Sequence, residues 1–371
     1  MKRYLASCVL EDLQQKMVFI GGPRQVGKTT LALQLIQAED ETSPGYLNYD
    51  LSHDREKMLN GDFPVDQKIL ILDEIHKYKP WRNLIKGFYD KLRSRHAFLV
   101  TGSAKLDHYH RGGDSLQGRY HYYRLHPLHL DEVDDLQRLL EFGGFPEPYL
   151  MADRRHWNRW QNERRRRVTF EDIASLESVR ELNQLDLLAT VLPEKVGGLL
   201  SIKNLAQDLS IAFATAERWI EILESLYYCF RIQPHHSKTL ATTKKERKLF
   251  LWDWSLVQNQ GARLENFVAN YLLKYCHFRH DYHGEELSLR FLRDRDQREI
   301  DFVIVEKGQP VIGIECKSLS KTLSPHVKFF AKKIPFKQLI QLHLGEDDFV
   351  NAEHDIRCLP VTSLPKVLPI G

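Results

Sequence analysis

The sequence has few cysteines and no long apolar run, and its charges nearly balance. Among 371 residues there are five cysteines, whose scattered spacing shows neither CxxC pairs nor a disulfide framework, so a reducing cytoplasm is the simple interpretation. No apolar run approaches the roughly 18 residues of a membrane span, and the amphipathic, acid-containing amino terminus is unlike a signal peptide. Lys plus Arg outnumber Asp plus Glu by only 53 to 50, so net charge does not indicate a nucleic-acid partner.

The chain is organised around residues 17–31, MVFIGGPRQVGKTTL. An apolar run ends in a glycine loop and a helical pattern follows, which is the P-loop arrangement. Loop N–H groups and the helix dipole favour phosphate oxygens. Lys28 is predicted to reach the β- and γ-phosphates of ATP, and the Thr29 hydroxyl to ligate Mg²⁺. The predicted nucleotide-binding residues of this stretch are Gly22, Pro23, Arg24, Gln25, Val26, Gly27, Lys28, Thr29 and Thr30.

A second apolar strand, residues 68–74, ends in two carboxylates, as a buried parallel strand does at a Walker B motif. Asp73 is predicted to hold Mg²⁺ and to complete the nucleotide site. Glu74 is predicted to orient and deprotonate the attacking water. The position of this pair, about forty residues after the P-loop, strengthens the prediction.

A third apolar strand, residues 97–101, also ends in polar residues. In many ATPases a polar residue at this strand end senses the γ-phosphate, and Thr101 or Ser103 is placed for that role; a Ser/Thr cap on the next helix is the alternative. The glycine-rich loop that follows contains Arg111 and Arg119. Either arginine could be a solvated loop charge, but Arg119 is the favoured candidate to stabilise the transferring phosphoryl group, in cis or from a neighbouring subunit.

The middle of the chain carries two features that nucleic-acid-binding proteins use. Seven arginines lie between 154 and 167, interleaved with two tryptophans, and they predict either phosphate contacts or the solvated face of a helix. Helical patterns at 201–209 and 214–226 form a helix-turn-helix, and strand signals after them suggest a winged helix. Such a module could enter a DNA groove or serve as a lid, and three glutamates on the second helix argue against groove contact.

The last part of the chain contains a helix opening near 261 and two strand patterns joined by a turn at 307–310. Glu265, Asp301, Glu315 and Lys317 follow the order and spacing of the PD-(D/E)xK nuclease core. Carboxylates there would hold Mg²⁺, and the lysine would favour hydroxide beside a phosphodiester. The alternative is an inactive nuclease-like fold used for docking.

Together these motifs resemble a family of prokaryotic AAA-type ATPases with a C-terminal restriction-endonuclease-like domain. The resemblance rests on GPRQVGKTTL, ILDEIHKY, GGDSLQGRY, FGGFPEP, GARLENFVA and the ExK motif. It implies an α/β fold with a P-loop NTPase parallel sheet at 1–145, a helical and winged-helix module at 146–255, and an α/β PD-(D/E)xK nuclease-like domain at 256–371. The expected partners are ATP with Mg²⁺, DNA or a protein, and further copies of the chain, without a membrane.

Overall fold

The computed structural model describes residues 1–102, 116–172, 182–235, 246–318 and 323–371. The chain separates into two compact units, Met1–Leu128 with Gly371, and His129–Ile370. The strands β6 and β7 that the sequence assigned to a middle module share a sheet with the C-terminal strands. The structure shows one division, after Leu128, so the boundaries predicted at 145 and 255 stay predictions.

The first unit is built on a parallel sheet. Its described strands, in the spatial order β2-β3-β4-β1-β5, are β1 (Met17–Gly21), β2 (Tyr46–Asn48), β3 (Ile69–Asp73), β4 (Ala97–Thr101) and β5 (Tyr120–Arg124). All four neighbouring pairs run parallel. The sheet confirms the predicted α/β P-loop NTPase fold. After β1 the chain forms β2, β3 and β4 on one side of β1, and it then crosses to form β5 on the other side. The crevice at the carboxyl end of β1 is therefore a topological switch point, where such sheets bind ligands.

Helices cover this sheet. They are α1 (Ala6–Asp12), α2 (Lys28–Leu35), α3 (Ser52–Asn60) and α4 (Trp81–Leu92). In α4 the apolar residues recur at helical spacing, so Trp81, Ile85 and Tyr89 are buried together. Helix α3 ends at Asn60, and Gly61 follows it with a φ of 73°, which caps a helix at low cost.

Helices occur along the whole length of the second unit. They are α5 (Leu136–Phe142), α6 (Pro146–Met151), α7 (Arg154–Arg166), α8 (Leu182–Val191), α9 (Ile202–Asp208), α10 (Phe213–Ser225), α11 (Gln260–His283), α12 (Pro325–Ala331) and α13 (Leu364–Val367). The arginine-rich helix α7 is not simply a solvated face, because both tryptophans and Arg164 are buried. The helix-turn-helix is present in α9 and α10, and the hydroxyl of Ser201 caps α9. The sequence pattern predicts that helix α11 ends near residue 276, and the observed helix extends two turns further, to His283.

A mixed sheet completes the second unit. Its described strands, in the order β12-β13-β11-β10-β9-β8-β6-β7, are β6 (Cys229–Pro234), β7 (Lys248–Leu251), β8 (Leu287–Arg293), β9 (Glu299–Glu306), β10 (Gln309–Lys317), β11 (Gln338–His343), β12 (Phe349–Asn351) and β13 (Ile356–Pro360). The hairpin β6–β7 was expected to be a wing. It joins the C-terminal strands instead, because β6 pairs in parallel with β8 through Gln233 and Pro234.

Two further findings concern covalent and membrane features. No helix within the described ranges has the length and apolar character to cross a membrane. All five cysteines are free thiols, four of them buried and Cys316 partly exposed.

Candidate functional site

The P-loop lies between β1 and α2, and its glycines are required by its backbone. Gly22 has a φ of 141°, and a Cβ there would lie 2.5 Å from the carbonyl oxygen of Leu125. Gly27 has a φ of 94° and forms the left-handed N-cap of α2. Residues with side chains adopt such angles rarely, so the two glycines allow the loop to turn back over the helix amino terminus. There the free N–H groups and the helix dipole favour an anion.

Lys28 opens α2 and is folded back over the loop. Its side chain is buried, and its Nζ donates hydrogen bonds to the carbonyl oxygens of Pro23 at 2.7 Å and Gly22 at 3.1 Å. The ammonium is thus held at the mouth of the loop by neutral acceptors. Phosphate oxygens are stronger acceptors for an ammonium, so these contacts can be exchanged when a triphosphate enters.

Asp73 is the centre of a hydroxyl cluster. Its carboxylate accepts hydrogen bonds from Thr29 Oγ1 at 3.1 Å, Thr101 Oγ1 at 2.6 Å and Tyr46 OH at 2.7 Å. The charge of Asp73, together with burial, raises the pKa of Tyr46, so that phenol stays a neutral donor. A carboxylate and a hydroxyl that already lie together are the hard oxygen donors that Mg²⁺ prefers, so Thr29 and Asp73 fit the metal that accompanies ATP.

Glu74 follows Asp73 in a left-handed conformation, with a φ of 56°, which is uncommon for a residue with a side chain. Such strain is found mainly at functional sites. Burial raises the pKa of Glu74, and the neighbouring charge of Asp73 raises it further. His76 Nε2 and Lys77 Nζ lie 3.4 and 3.7 Å from Glu74 Oε2. A partly buried carboxyl with a raised pKa is suited to accept a proton from water.

The predicted sensors and the predicted arginine finger fall in different places. The Thr101 hydroxyl is fully buried and binds Asp73, so it supports the carboxylate. Ser103 and Arg111 lie outside the described residues. Among the other P-loop residues, Pro23 and Val26 are buried whereas Arg24, Gln25 and Thr30 are exposed.

Arg119 lies at the wrong edge of the sheet to act on its own nucleotide. It directly precedes β5, and Tyr120 pairs with Met17 at the start of β1, whereas the P-loop follows Gly21 at the other end. A five-residue strand separates these ends by on the order of 13 Å. Arg119 also binds Asp90, with Nε 2.9 Å from Oδ1. This position does not favour the cis role, and both a solvated loop charge and a role toward a neighbouring subunit stay predictions for this arginine.

Two contacts at the P-loop were missed by the sequence interpretation. The buried Arg3 donates from Nη1 to the carbonyl oxygen of Val26 at 2.6 Å, and from Nη2 to that of His126. It therefore ties the P-loop to the segment after β5. The second is Tyr46, whose hydroxyl holds Asp73. Both lie far from the motifs in sequence, and no local pattern marks them.

The four nuclease-type residues come together in the second unit. Glu265 lies on α11, Asp301 on β9, and Glu315 and Lys317 on β10. Asp301 Oδ2 accepts the N–H of Cys316 at 2.8 Å, and Lys317 Nζ lies 2.9 Å from Glu315 Oε1. Burial, and then the neighbouring charge of Glu315, raises the pKa of Asp301 to about 7. The predicted constellation is thus assembled in space.

A buried lysine that the prediction missed lies among these carboxylates. Lys248 Nζ is 2.9 Å from Glu265 Oε1, 2.5 Å from Glu299 Oε1 and 3.8 Å from Asp301 Oδ1. Within the described parts of the chain, no group of three or more His, Cys, Asp or Glu residues is arranged to hold a metal ion. The cluster therefore does not fit the nuclease metal in this arrangement. A lysine at the head of the apolar run KLFLW was the only sequence signal for it.

Three family models match successive parts of the chain. Residues 14–134 match an AAA domain, residues 133–266 a domain of unknown function (DUF8612), and residues 260–364 a second domain of unknown function (DUF4143). The first match covers β1 to β5 with the P-loop and Asp73. This match supports the assignment of a P-loop NTPase fold to the first unit.

Curated relatives share most of the chain at low identity. An uncharacterized protein of Methanocaldococcus jannaschii is 22% identical over 91% of this chain and 84% of its own length. An uncharacterized protein of Mycobacterium tuberculosis is 22% identical over 90% of this chain and 77% of its own length. Neither description assigns an activity.

Two solved structures are similar over the greater part of the chain. The RuvB Holliday junction branch migration motor of Thermotoga maritima has a TM-score of 0.31 and 17% identity, covering 66% of this chain and 89% of its own. AMPPCP-bound DnaA from Aquifex aeolicus has a TM-score of 0.32 and 12% identity, covering 59% and 86%. TM-scores this low support no argument about activity.

Proposed function

We propose that this protein binds ATP and hydrolyses it with Mg²⁺ at the P-loop of its first unit. The observation that carries the proposal is the meeting of Thr29, Asp73 and Glu74 at the carboxyl ends of β1 and β3, beside Lys28. The AAA domain match over residues 14–134 supports it.

Each residue has a distinct task in this proposal. The loop N–H groups of Gly22 and of residues 24–27, together with Lys28, bind the phosphate oxygens, and Lys28 exchanges its bonds to the carbonyl oxygens of Gly22 and Pro23 for them. Thr29 and Asp73 hold Mg²⁺, which neutralises charge on the β- and γ-phosphates when bound. Glu74 orients the attacking water and takes its proton, and its raised pKa makes it a better proton acceptor than an exposed glutamate.

We further propose that ATP is coupled to recognition of a macromolecular partner by the second unit. Nucleic acid is the leading candidate for this partner from the sequence, and several described contacts weaken the case for it. Trp157 and Trp160 are buried and cannot stack on bases. Arg164 is buried with its guanidinium carbon 4.2 Å from the Phe145 ring centre, and Arg165 Nε lies 3.3 Å from Asp186. These contacts weaken the case for nucleic acid, and a nucleotide-gated scaffold that binds a protein is the alternative. In a winged helix, the loop between the two strands would touch phosphates through Lys238, Lys244 and Lys245. These lysines lie outside the described residues.

The test compares wild type with Glu74→Gln in ATP binding and in phosphate release, each with and without duplex DNA. Wild type is expected to release phosphate, and Glu74→Gln to bind ATP with similar affinity while hydrolysing it on the order of 10²–10⁴-fold more slowly. Equal phosphate release by both proteins would refute the role of Glu74. Loss of ATP binding in the variant would show a structural role instead. Stimulation of hydrolysis by DNA would restore nucleic acid as the partner.

A further inference from the structure

The carboxylate cluster of the second unit contains its own cation. Lys248 opens β7, its side chain is only 2% exposed, and its Nζ lies 2.9 Å from Glu265 and 2.5 Å from Glu299. Asp301 follows at 3.8 Å. An ammonium has three donors on one atom, so it can bind several carboxylates from a single point. Lys248 thus occupies the position between helix and strand carboxylates that a divalent cation would need.

Two other carboxylates of the cluster also have a cation nearby, while Glu315 Oε2 is buried without a hydrogen-bond partner among the described residues. Lys317 Nζ lies 2.9 Å from Glu315 Oε1, and Arg293 Nη1 lies 2.9 Å from Glu299 Oε2. Four carboxylates therefore face three cationic side chains. A metal ion entering beside Lys248 would meet a like charge in a buried setting, where charges interact more strongly than in water. The cluster has little charge left to attract such an ion.

Packing keeps Lys248 in place. Its backbone pairs with Ile232 across the β6–β7 hairpin and forms a bridge to Leu199. Its Nζ lies 5.7 Å from the centre of the Phe291 ring. On the other side, a Cβ at Gly197 would come within 2.8 Å of Glu265 Oε2, so the chain closes tightly over that carboxylate. The ammonium therefore cannot swing into solvent as a surface lysine does.

We propose that Lys248 is the resident cation of this cluster, and that it takes the place of the nuclease metal. The second unit then holds no divalent ion among Glu265, Asp301 and Glu315, and it does not cleave phosphodiesters by a metal-dependent route. This inference concerns only the second unit and does not depend on ATP hydrolysis at the P-loop.

The test measures Mn²⁺ bound by the full chain without nucleotide, by electron paramagnetic resonance. Wild type and Asp301→Asn are expected to bind the same amount. Lys248→Ala is expected to gain one ion per chain, and the double variant with Asp301→Asn to lose it again. Mn²⁺ that wild type binds and Asp301→Asn loses would overturn the proposal. A folded Lys248→Ala that gains no ion would also contradict it.

Two features of the design separate the role of Lys248 from damage to the fold. Lys274 is an equally buried lysine, with Nζ 2.8 Å from Asp131 and 2.5 Å from Glu132, so Lys274→Ala is the matched control. Asp131 and Glu132 are the carboxylates that contact its ammonium, and Lys274→Ala is expected to gain no ion. If Lys248→Ala does not fold, the comparison of wild type with Asp301→Asn decides alone: equal binding supports the proposal and loss of binding overturns it.

Discussion

The two units each bury a carboxylate site, and the sites differ in what neutralises the carboxylates. Asp73 accepts its hydrogen bonds from the hydroxyls of Thr29, Thr101 and Tyr46. Glu265 instead accepts its hydrogen bond from the ammonium of Lys248. Hydroxyl donors stabilise a carboxylate without cancelling its charge, whereas an ammonium cancels it. We therefore expect the first site to attract Mg²⁺ and the second not to. The residue types of a metal site are therefore not sufficient to predict metal binding, because the group that contacts each carboxylate determines whether its charge is still available to a metal ion.

The largest effect is expected at the first site. Lys28→Ala removes the ammonium that binds the β- and γ-phosphates, so ATP hydrolysis is expected to fall on the order of 10²–10³-fold, as when a charge-stabilising donor is lost. Steady-state phosphate release measures the loss. Lys91→Ala changes an exposed lysine near the end of α4 and serves as the matched control. Undiminished hydrolysis in Lys28→Ala would refute the P-loop assignment.

The next effect concerns the stability of the second unit. Lys248→Ala leaves Glu265 and Glu299 without their buried partner, and breaking such a pair costs about 3–5 kcal/mol of unfolding free energy. Denaturant unfolding measures it. Lys337→Ala removes an exposed lysine 3.1 Å from Glu306, a contact expected to contribute at most about 1 kcal/mol. Similar losses in the two variants would mean that Lys248 does not hold the cluster together.

A smaller effect is expected at Tyr46. Tyr46→Phe deletes one of three hydroxyl donors to Asp73, and a hydrogen bond of this kind contributes about 0.5–1.5 kcal/mol to stability. ATP hydrolysis is expected to persist, since Thr29 and Thr101 still position the carboxylate. Thermal unfolding and phosphate release check both parts. Complete loss of hydrolysis would make Tyr46 a direct participant.

A further effect concerns the pH dependence of the stability of the second unit. Burial raises the pKa of both Glu265 and Asp301 to about 7. The folded chain then binds a proton that the unfolded chain has lost above about pH 4, so this contribution to stability is present at low pH and disappears as pH rises through 7. For one proton the slope is at most about 1.4 kcal/mol per pH unit. Unfolding at pH 5.5 and pH 8 is expected to show a smaller change in Asp301→Asn than in wild type. Equal changes would contradict the raised pKa of Asp301.

Local patterns predicted the first site well. The glycine loop, Lys28 and the strand that ends at Asp73 are each encoded within a few residues, and the parallel sheet brings the strand ends together. The edge on which Arg119 lies depends on the register of β5, which the sequence does not show. The contact of Arg3 with Val26 spans 23 residues, so no local pattern indicates it.

The second site was predicted from the spacing of its carboxylates, with an inactive nuclease-like fold as the alternative, but Lys248 was missed. The spacing of Asp301 and Glu315 in a hairpin was enough to place them together. Lys248 comes from a strand that the sequence assigned to a wing, and its position among the carboxylates depends on β6 pairing with β8. That pairing joins residues more than fifty positions apart, so no local pattern indicates it.

The most direct test of this difference counts Mn²⁺ bound per chain in the presence and absence of a non-hydrolysable ATP analogue. We expect one Mn²⁺ ion per chain when the analogue is present. That ion is lost in Asp73→Asn and retained in Asp301→Asn. An ion that binds without nucleotide and is lost in Asp301→Asn, or the absence of any ion with the analogue, would contradict it.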